Sequence, residues 1–582
     1  MHPSCPRRAP PVRATQVSPP RNTHETPLPA DSSRTCRSTG ERGTTERKAR
    51  LMTVPAPRAH PGTAPGAGSE TGDLGRFGYG QQLHRSVGPF ASFAAGFSFV
   101  SILTTVFQLF GLGFSFGGAG FFWTWPTVFA GQLLVALCFA ELAARYPISG
   151  AVFQWSSRLA GTDVGWITGW VMVVGQVLTV ATAAIALQAV LPSIWSGFQV
   201  IGGPGADPSP TSSTGAQNAV VLGVALLVVT TAVNVIGVRL MALLTSAGVV
   251  IEILGVAALV IALFGHAERS PAVVATTTGA AEGPYLSLWL ASSLMAAYVM
   301  VGFDSAGELS EETRAPRATT PRTILRALVV SGIGGALILV GGLIAAPSLT
   351  DGTLASQGLA SVLTTRLGDV SGRLLLACVA IAVAVCTLAV QTSGSRMVYS
   401  MARERAFPFA GVLGRVSVRT GTPVGASVLV GVGAAIALAV NWHQSAVFTA
   451  LASLCIAMLY LAYLGVTLPL LVRRLRGGLP GGVDEFGRPL FSLGRWGVAV
   501  NAVAVVYQVA MVVNLAWPRA AVYDLTGGTW WLRFSALLFI GATVLVGLVL
   551  HRRNRARHGG PIVLGALQVG GPARPEPVEE PA

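Results

Sequence analysis

The chain has 582 residues, of which 52% are hydrophobic and only 11% charged, and it carries a formal net charge of +15. Soluble domains carry about 25% charged residues, so the composition excludes a soluble enzyme and indicates an integral membrane protein. The positive charge does not imply nucleic acid, because the arginines fall in short loops and tails between apolar windows. Six cysteines occur with no CxxC spacing, and the eight histidines lie outside the centres of those windows. A disulfide framework, a metal site and a buried histidine relay are therefore all unsupported.

Residues 1–75 are rich in Pro, Ser, Thr, Gly and Arg and have no apolar periodicity. They are expected to form a disordered tail, and Met52, opening "MTVPAPRAH", is a candidate true start. A membrane domain is expected over 76–551. Crossing ~30 Å at 1.5 Å per residue takes ~20 apolar residues, and twelve such windows follow. They are placed at 88–112, 121–144, 164–194, 219–236, 240–264, 285–306, 324–346, 374–399, 424–440, 446–472, 496–517 and 529–550. A C-terminal tail is expected over 552–582. The fold class is thus an all-α integral membrane protein with about 12 transmembrane helices.

Arginine placement sets the orientation. With the N-terminus inside, one side collects Arg145, Arg158, Arg239, Arg314, Arg317, Arg322, Arg396, Arg403, Arg405, Arg473, Arg474 and the cluster Arg552–Arg557. The other side keeps Arg269, Arg366, Arg373, Arg519 and Arg533. Such asymmetry places both termini in the cytoplasm.

Two spans carry the chemistry. The first, in "GPFASFAAGFSFVSILTTVF", sets Ser98, Ser101, Thr104 and Thr105 mid-membrane, where hydroxyls can satisfy backbone groups freed by a helix break. The sixth, in "YLSLWLASSLMAAYVMVGFDSAGELSEETRAPR", reaches Gly302 and then places Asp304 at membrane depth. A carboxylate there costs at least ~2.5 kcal/mol and normally faces a cavity or a partner. The two spans lie five helices apart, so the second begins from the opposite side. Paired interrupted helices at corresponding places in two inverted halves point to a transport site. The bland alternative is that the hydroxyls bond only to the preceding turn and the glycines mark close packing; the carboxylate five helices later favours a site.

Several stretches resemble one family. "FGYGQQLHRSVGPFASFAAGFSFVSILTT", "FAELAARYPISGAVFQWSSRLAG", "GFDSAGELSEETRAPRATTPRTI" and "SGSRMVYSMARERAFP" resemble, in that order, motifs of amino acid/choline-type (GABA permease-like) permeases of the amino acid–polyamine–organocation superfamily. The resemblance covers about residues 77–550. It implies a LeuT-like fold, with a 5+5 inverted repeat plus two C-terminal helices, and alternating access. It further implies a substrate among amino acids, GABA, choline and polyamines, usually driven by a proton or sodium gradient. By this similarity Ser101, Thr104 and Thr105 fall on the opened part of the first helix. Tyr298 falls at an aromatic gate, and Gly302, Phe303 and Asp304 on the opened sixth helix. Related permeases often have glycine where Thr105 stands, a departure that weakens backbone capture of a substrate carboxylate.

Further candidates are weighed against plain packing. Glu252, in "LTSAGVVIEILGVAALV", is flanked by apolar turns and is a candidate for carrying or sensing the coupling proton; a permanently neutral acid bonded to a neighbouring helix is the alternative. Thr392 and Ser393, beside Gln391, could hold a cation by hard-oxygen chemistry. Arg85, Glu141, Glu308, Glu311 and Glu312 could form a cytoplasmic gate, with helix-end solvation as the bland reading, and Glu141 stands i,i+4 from Arg145. Tyr460 and Tyr463 could line a pathway or merely pack, packing being preferred. No Walker A pattern, HExxH, or GxSxG in a strand-to-helix setting occurs, so neither ATP coupling nor an enzyme is indicated. The expected function is secondary active transport of a small amino acid or related amine across a bacterial-type plasma membrane. An organocation carrier and, as a more distant rival, a channel are the alternatives. No cofactor is expected beyond a coupling H+ or Na+, the bilayer and the substrate being the partners.

Overall fold

The apolar windows of the sequence all become helices, because a backbone in hydrocarbon must satisfy its own hydrogen bonds. The computed structural model describes residues 72–558 and 564, except 76, 210–211, 443–446, 480–481, 484–486 and 525–529. Apart from a helical turn at Gly72–Gly75, the expected N-terminal tail, Met52 included, lies outside the described residues. Among the described residues there is no strand, only isolated bridges such as Val87 to Thr313.

Ten helical stretches are long and apolar enough to cross a membrane. The first, Pro89–Arg145, contains two expected spans joined by a 3-10 turn at Gly118–Trp123. The sixth span is recognised separately because its apolar helix, Tyr285–Val299, stops short. With these two adjustments the helices fall on the twelve expected windows. Some ends differ: the eighth span belongs to a helical stretch, Leu359–Arg403, in which two helices meet at Gly368, whose φ of +70° is not helical, and the twelfth, Ser535–His558, runs into the expected tail.

Burial separates the centre from the rim. In the third span, Thr162–Ile194, 83% of the most apolar window is buried, against 22% in the twelfth. Val228, Leu254, Ile261 and Val506 point outward, as residues facing acyl chains do.

Helix pairing repeats at an interval of five. The first span packs on the sixth, the second on the seventh, the third on the eighth and the fourth on the ninth. The third also packs on the tenth, Val447–Leu475, and its counterpart pairing, eighth on fifth, is present as well. So is the first on fifth with the sixth on tenth. Short helices follow both the second and the seventh spans, at Ala151–Ala160 and Thr353–Gln357. Five crossings reverse direction, so halves related in this way run oppositely through the membrane. Packing by the last two spans is peripheral, the eleventh against the second and tenth and the twelfth against the third and tenth.

Candidate functional site

The first span breaks at one residue. Its first half, Pro89–Val100, begins with proline at the first helical position, where no N–H is needed. It ends at Ser101, whose φ of 35° is left-handed, a conformation costing a non-glycine residue ~1–2 kcal/mol. The helix restarts at Ile102 and continues to Gly117. The fifth span, Val238–Gly265, delivers Glu252 to this restart. Glu252 Oε1 accepts the Ser101 hydroxyl at 2.9 Å and the Leu103 N–H at 3.3 Å. A carboxylate at a helix N-terminus is favoured by the unsatisfied N–H groups and the helix dipole. Thr104 Oγ1 lies 2.7 Å from Ser101 Oγ, and the Thr105 hydroxyl donates to the Ser101 carbonyl at 2.8 Å. The other Glu252 oxygen is buried without a hydrogen-bond partner.

The sixth span breaks between Val299 and Ser305. Gly302 has a φ of +94°, and a Cβ there would lie 1.7 Å from the Phe99 ring. Only glycine meets both conditions, so the two breaks abut through Phe99 and Gly302. The Gly302 N–H donates to the Tyr463 hydroxyl at 2.9 Å, and that hydroxyl donates to Asp304 Oδ1. Asp304 is fully buried and its Oδ2 has no hydrogen-bond partner. Phe303 is also buried, its ring 5.4 Å from that of Tyr463 and 6.0 Å from that of Phe139. Tyr298, one turn before the break, shares a 2.9 Å hydrogen bond with Thr182 of the third span.

The eighth-span hydroxyls are engaged elsewhere. Thr392 donates to Asn234 of the fourth span at 2.7 Å, and Ser393 accepts from Gln176 of the third at 3.0 Å. It is Cys386, earlier on that helix, whose sulfur lies 3.6 Å from the Phe99 carbonyl at the first break.

The acidic residues after Asp304 build a sealed layer at the arginine-rich end. Glu311 receives both terminal nitrogens of Arg403, at 2.8 and 2.9 Å, and the Ser149 N–H at 3.1 Å. Glu312 receives Arg396 Nε at 2.9 Å, and both members of that pair are fully buried. Glu308 is fully buried near the backbone N–H groups of Gly150, Ala151 and Val152, at the start of the short helix after the second span, and near Asp304, and neither of its oxygens has a hydrogen-bond partner. The segment containing half-buried Arg85 lies over this layer. Gln81 donates to the Glu311 carbonyl, the Val87 N–H to the Glu312 carbonyl, and the Arg314 N–H to the Val87 carbonyl. The Arg403 guanidinium sits 4.3 Å over the Tyr79 ring, and burial pushes the Tyr79 hydroxyl up to about 12, keeping it neutral. Glu141 belongs to a different clamp. It pairs with Arg145 at 2.9 Å, accepts from Ser492 at 3.0 Å, and also binds Arg474 of the tenth span. It is buried, where helix-end solvation would have left it wet.

Tyr463, which from the sequence could line a pathway or merely pack, with packing preferred, bonds at the sixth break, and Arg396 and Arg403, expected only as topology signals, pair with buried glutamates. A signal for the arginines existed: seven residues apart, they share one face of the eighth helix, opposite two consecutive glutamates. For Tyr463 there was none, since only folding brings the tenth span to the sixth break.

A bundle of this kind, with two opposed helix breaks meeting around buried carboxylates and a charged layer closing one end, is a membrane transporter. The chain belongs to the amino acid permease family, whose profile matches residues 86–549. It is 28% identical to Amino-acid permease BAT1 of Arabidopsis thaliana over 78% of this chain and 89% of that protein. Its identity to the BAT1 homolog of Oryza sativa subsp. japonica is also 28%, over 83% and 94%. Thiamine transporter thi9 of Schizosaccharomyces pombe is 23% identical over 76% and 79%. These relatives are transporters, and the chain is a multi-pass membrane protein that is not an enzyme.

Proposed function

We propose that the protein is a secondary active carrier. It moves a small amino acid or related amine across a bacterial-type plasma membrane by alternating access, with both termini cytoplasmic. The observation that carries this reading is the meeting of the two helix breaks, each presenting a buried carboxylate with one unpartnered oxygen. An isolated buried charge is costly, so such oxygens are positions for a cation or a proton. In this reading Asp304, with Phe303, Gly302, Tyr298 and the Ser101–Thr105 turn, receives the substrate. Glu252 bridges the first break to the fifth span and carries or senses the coupling ion. Glu311–Arg403 and Glu312–Arg396, with Glu308 and the strap through Arg85, form the cytoplasmic gate.

The recurrence of helix contacts at an interval of five supports a LeuT-like repeat, in which one half rocks against the other around a fixed site. The names of the relatives, amino-acid permeases and a thiamine transporter, support an amino acid or an organic cation as cargo. The test is uptake of a radiolabelled panel of amino acids and amines into proteoliposomes holding the full chain, with proton and sodium gradients imposed separately. Saturable uptake enhanced by one gradient is expected. Unsaturable flux indifferent to both gradients would replace the carrier by a channel.

A further inference from the structure

The charges around the two breaks narrow the cargo further. In a half-helix site, the N-terminus of the restarted helix is the natural seat for a substrate carboxylate. Here a carboxylate from within the chain already stands at that seat: Glu252 Oε1 takes the Leu103 N–H and the neighbouring Ser101 hydroxyl. The break's hydroxyls are committed too, Thr105 to the Ser101 carbonyl and Thr104 to the Ser101 side chain. A second carboxylate would therefore meet a negative group where it needs donors.

Among the described residues no cationic side chain is found acting on either carboxylate. The groups acting on Glu252 are Ser101 and the Leu103 N–H, and those acting on Asp304 are Tyr463, its own backbone and the second acid Glu308. The buried arginines of the charged layer, Arg396 and Arg403, are held by Glu312 and Glu311. The single lysine of the sequence, Lys48, lies outside the described residues. What the breaks do offer is the unpartnered Oδ2 of Asp304, beside the buried rings of Phe303 and Tyr463. A carboxylate next to aromatic rings favours a cation through charge and through the ring faces.

We infer that the substrate is an organic amine without a carboxylate, its ammonium taken by Asp304 among the Phe303 and Tyr463 rings, with Glu252 standing where the carboxylate of an amino acid would sit. This rests on the carrier reading and selects one branch of it. The selectivity works by exclusion as much as attraction: an amino acid brings a charge that finds no free partner.

The test uses matched pairs differing only in the carboxylate: ethanolamine with serine, putrescine with ornithine, and cadaverine with lysine. Saturable uptake of each is measured in proteoliposomes containing the full chain. The amine of any transported pair should half-saturate at a concentration about tenfold or more below its amino acid, on the order of the cost of leaving one buried polar group unsatisfied. Glu252→Gln, which keeps an acceptor for Leu103 and Ser101 but removes the charge, should erase the preference, and Asp304→Glu should keep it, the second variant showing that the site still folds. An amino acid equal to or better than its amine overturns this inference and leaves the carrier intact. Absence of saturable uptake for every member of the panel overturns the carrier reading, and the inference with it.

Discussion

At the scale of single residues, two buried carboxylates matter most, Glu252 at the first helix break and Asp304 at the sixth, each with different partners. Asp304 has one oxygen committed to Tyr463 and one without a partner. Asp304→Asn keeps the shape and removes the charge. Uptake should fall about 10- to 100-fold, corresponding to the about 1.5–3 kcal/mol contributed by a hydrogen bond to a charged group. Initial-rate uptake at equal reconstituted protein measures this, and an unchanged rate would remove Asp304 from the site. Tyr463→Phe should weaken transport less, because the Asp304 charge remains. Glu252 separates binding from coupling. Glu252→Gln retains an acceptor for Leu103 and Ser101, so exchange of substrate across the bilayer should persist while the response to an imposed gradient disappears. Gradient-driven uptake that survives this variant would end the coupling role. Asp304 and Glu252 were both legible in the sequence, since an acid amid apolar turns stands out whatever its partners. Tyr463 was not, because a tyrosine in a membrane helix looks the same packed or bonded.

At the scale of elements, the helix breaks and the charged layer make separate demands. Gly302→Ala would drive a methyl into the Phe99 ring at a φ of +94° and force the two breaks apart. Near-complete loss of transport is expected, with folding checked by a monodisperse size-exclusion profile; normal uptake would show that the breaks need not touch. In the charged layer, Arg403→Gln leaves Glu311 buried and unpaired, a change costing about 3–5 kcal/mol when a buried pair is broken. The double variant Glu311→Gln with Arg403→Gln should recover much of the lost thermal stability, and a double-mutant cycle on melting temperature measures the coupling. Additive losses would mean that the pair does not act as a unit. Break positions were readable from Ser101, Thr104, Thr105 and Gly302, residues whose chemistry suits an opened helix. The eighth-span hydroxyls Thr392 and Ser393 were expected at the ion site, yet they bond to Asn234 and Gln176. Hydroxyls are common in membrane helices, and which face of the helix meets the break is decided by packing.

At the scale of the whole molecule, hydropathy was sufficient to mark twelve windows, because each span must cover the same hydrocarbon thickness. The windows were less informative about ends. Polar helical turns extend beyond the apolar stretch at Leu359–Arg403 and Ser535–His558, where hydropathy has no signal. Pairing at an interval of five emerges only in three dimensions, although the matching breaks in the first and sixth spans anticipated it. In the proposed alternating-access cycle, the ion pairs around Glu311 and Glu312 separate as one half of the bundle moves against the other. The most direct test of this account is concentrative uptake into proteoliposomes under an imposed proton or sodium gradient, comparing the unmodified chain with Asp304→Asn. Saturable accumulation above the equilibrium level is expected, collapsing when an ionophore dissipates the gradient and falling about 10- to 100-fold in the variant. Flux that rises linearly with concentration and stops at equilibrium, the same in both proteins, would contradict it.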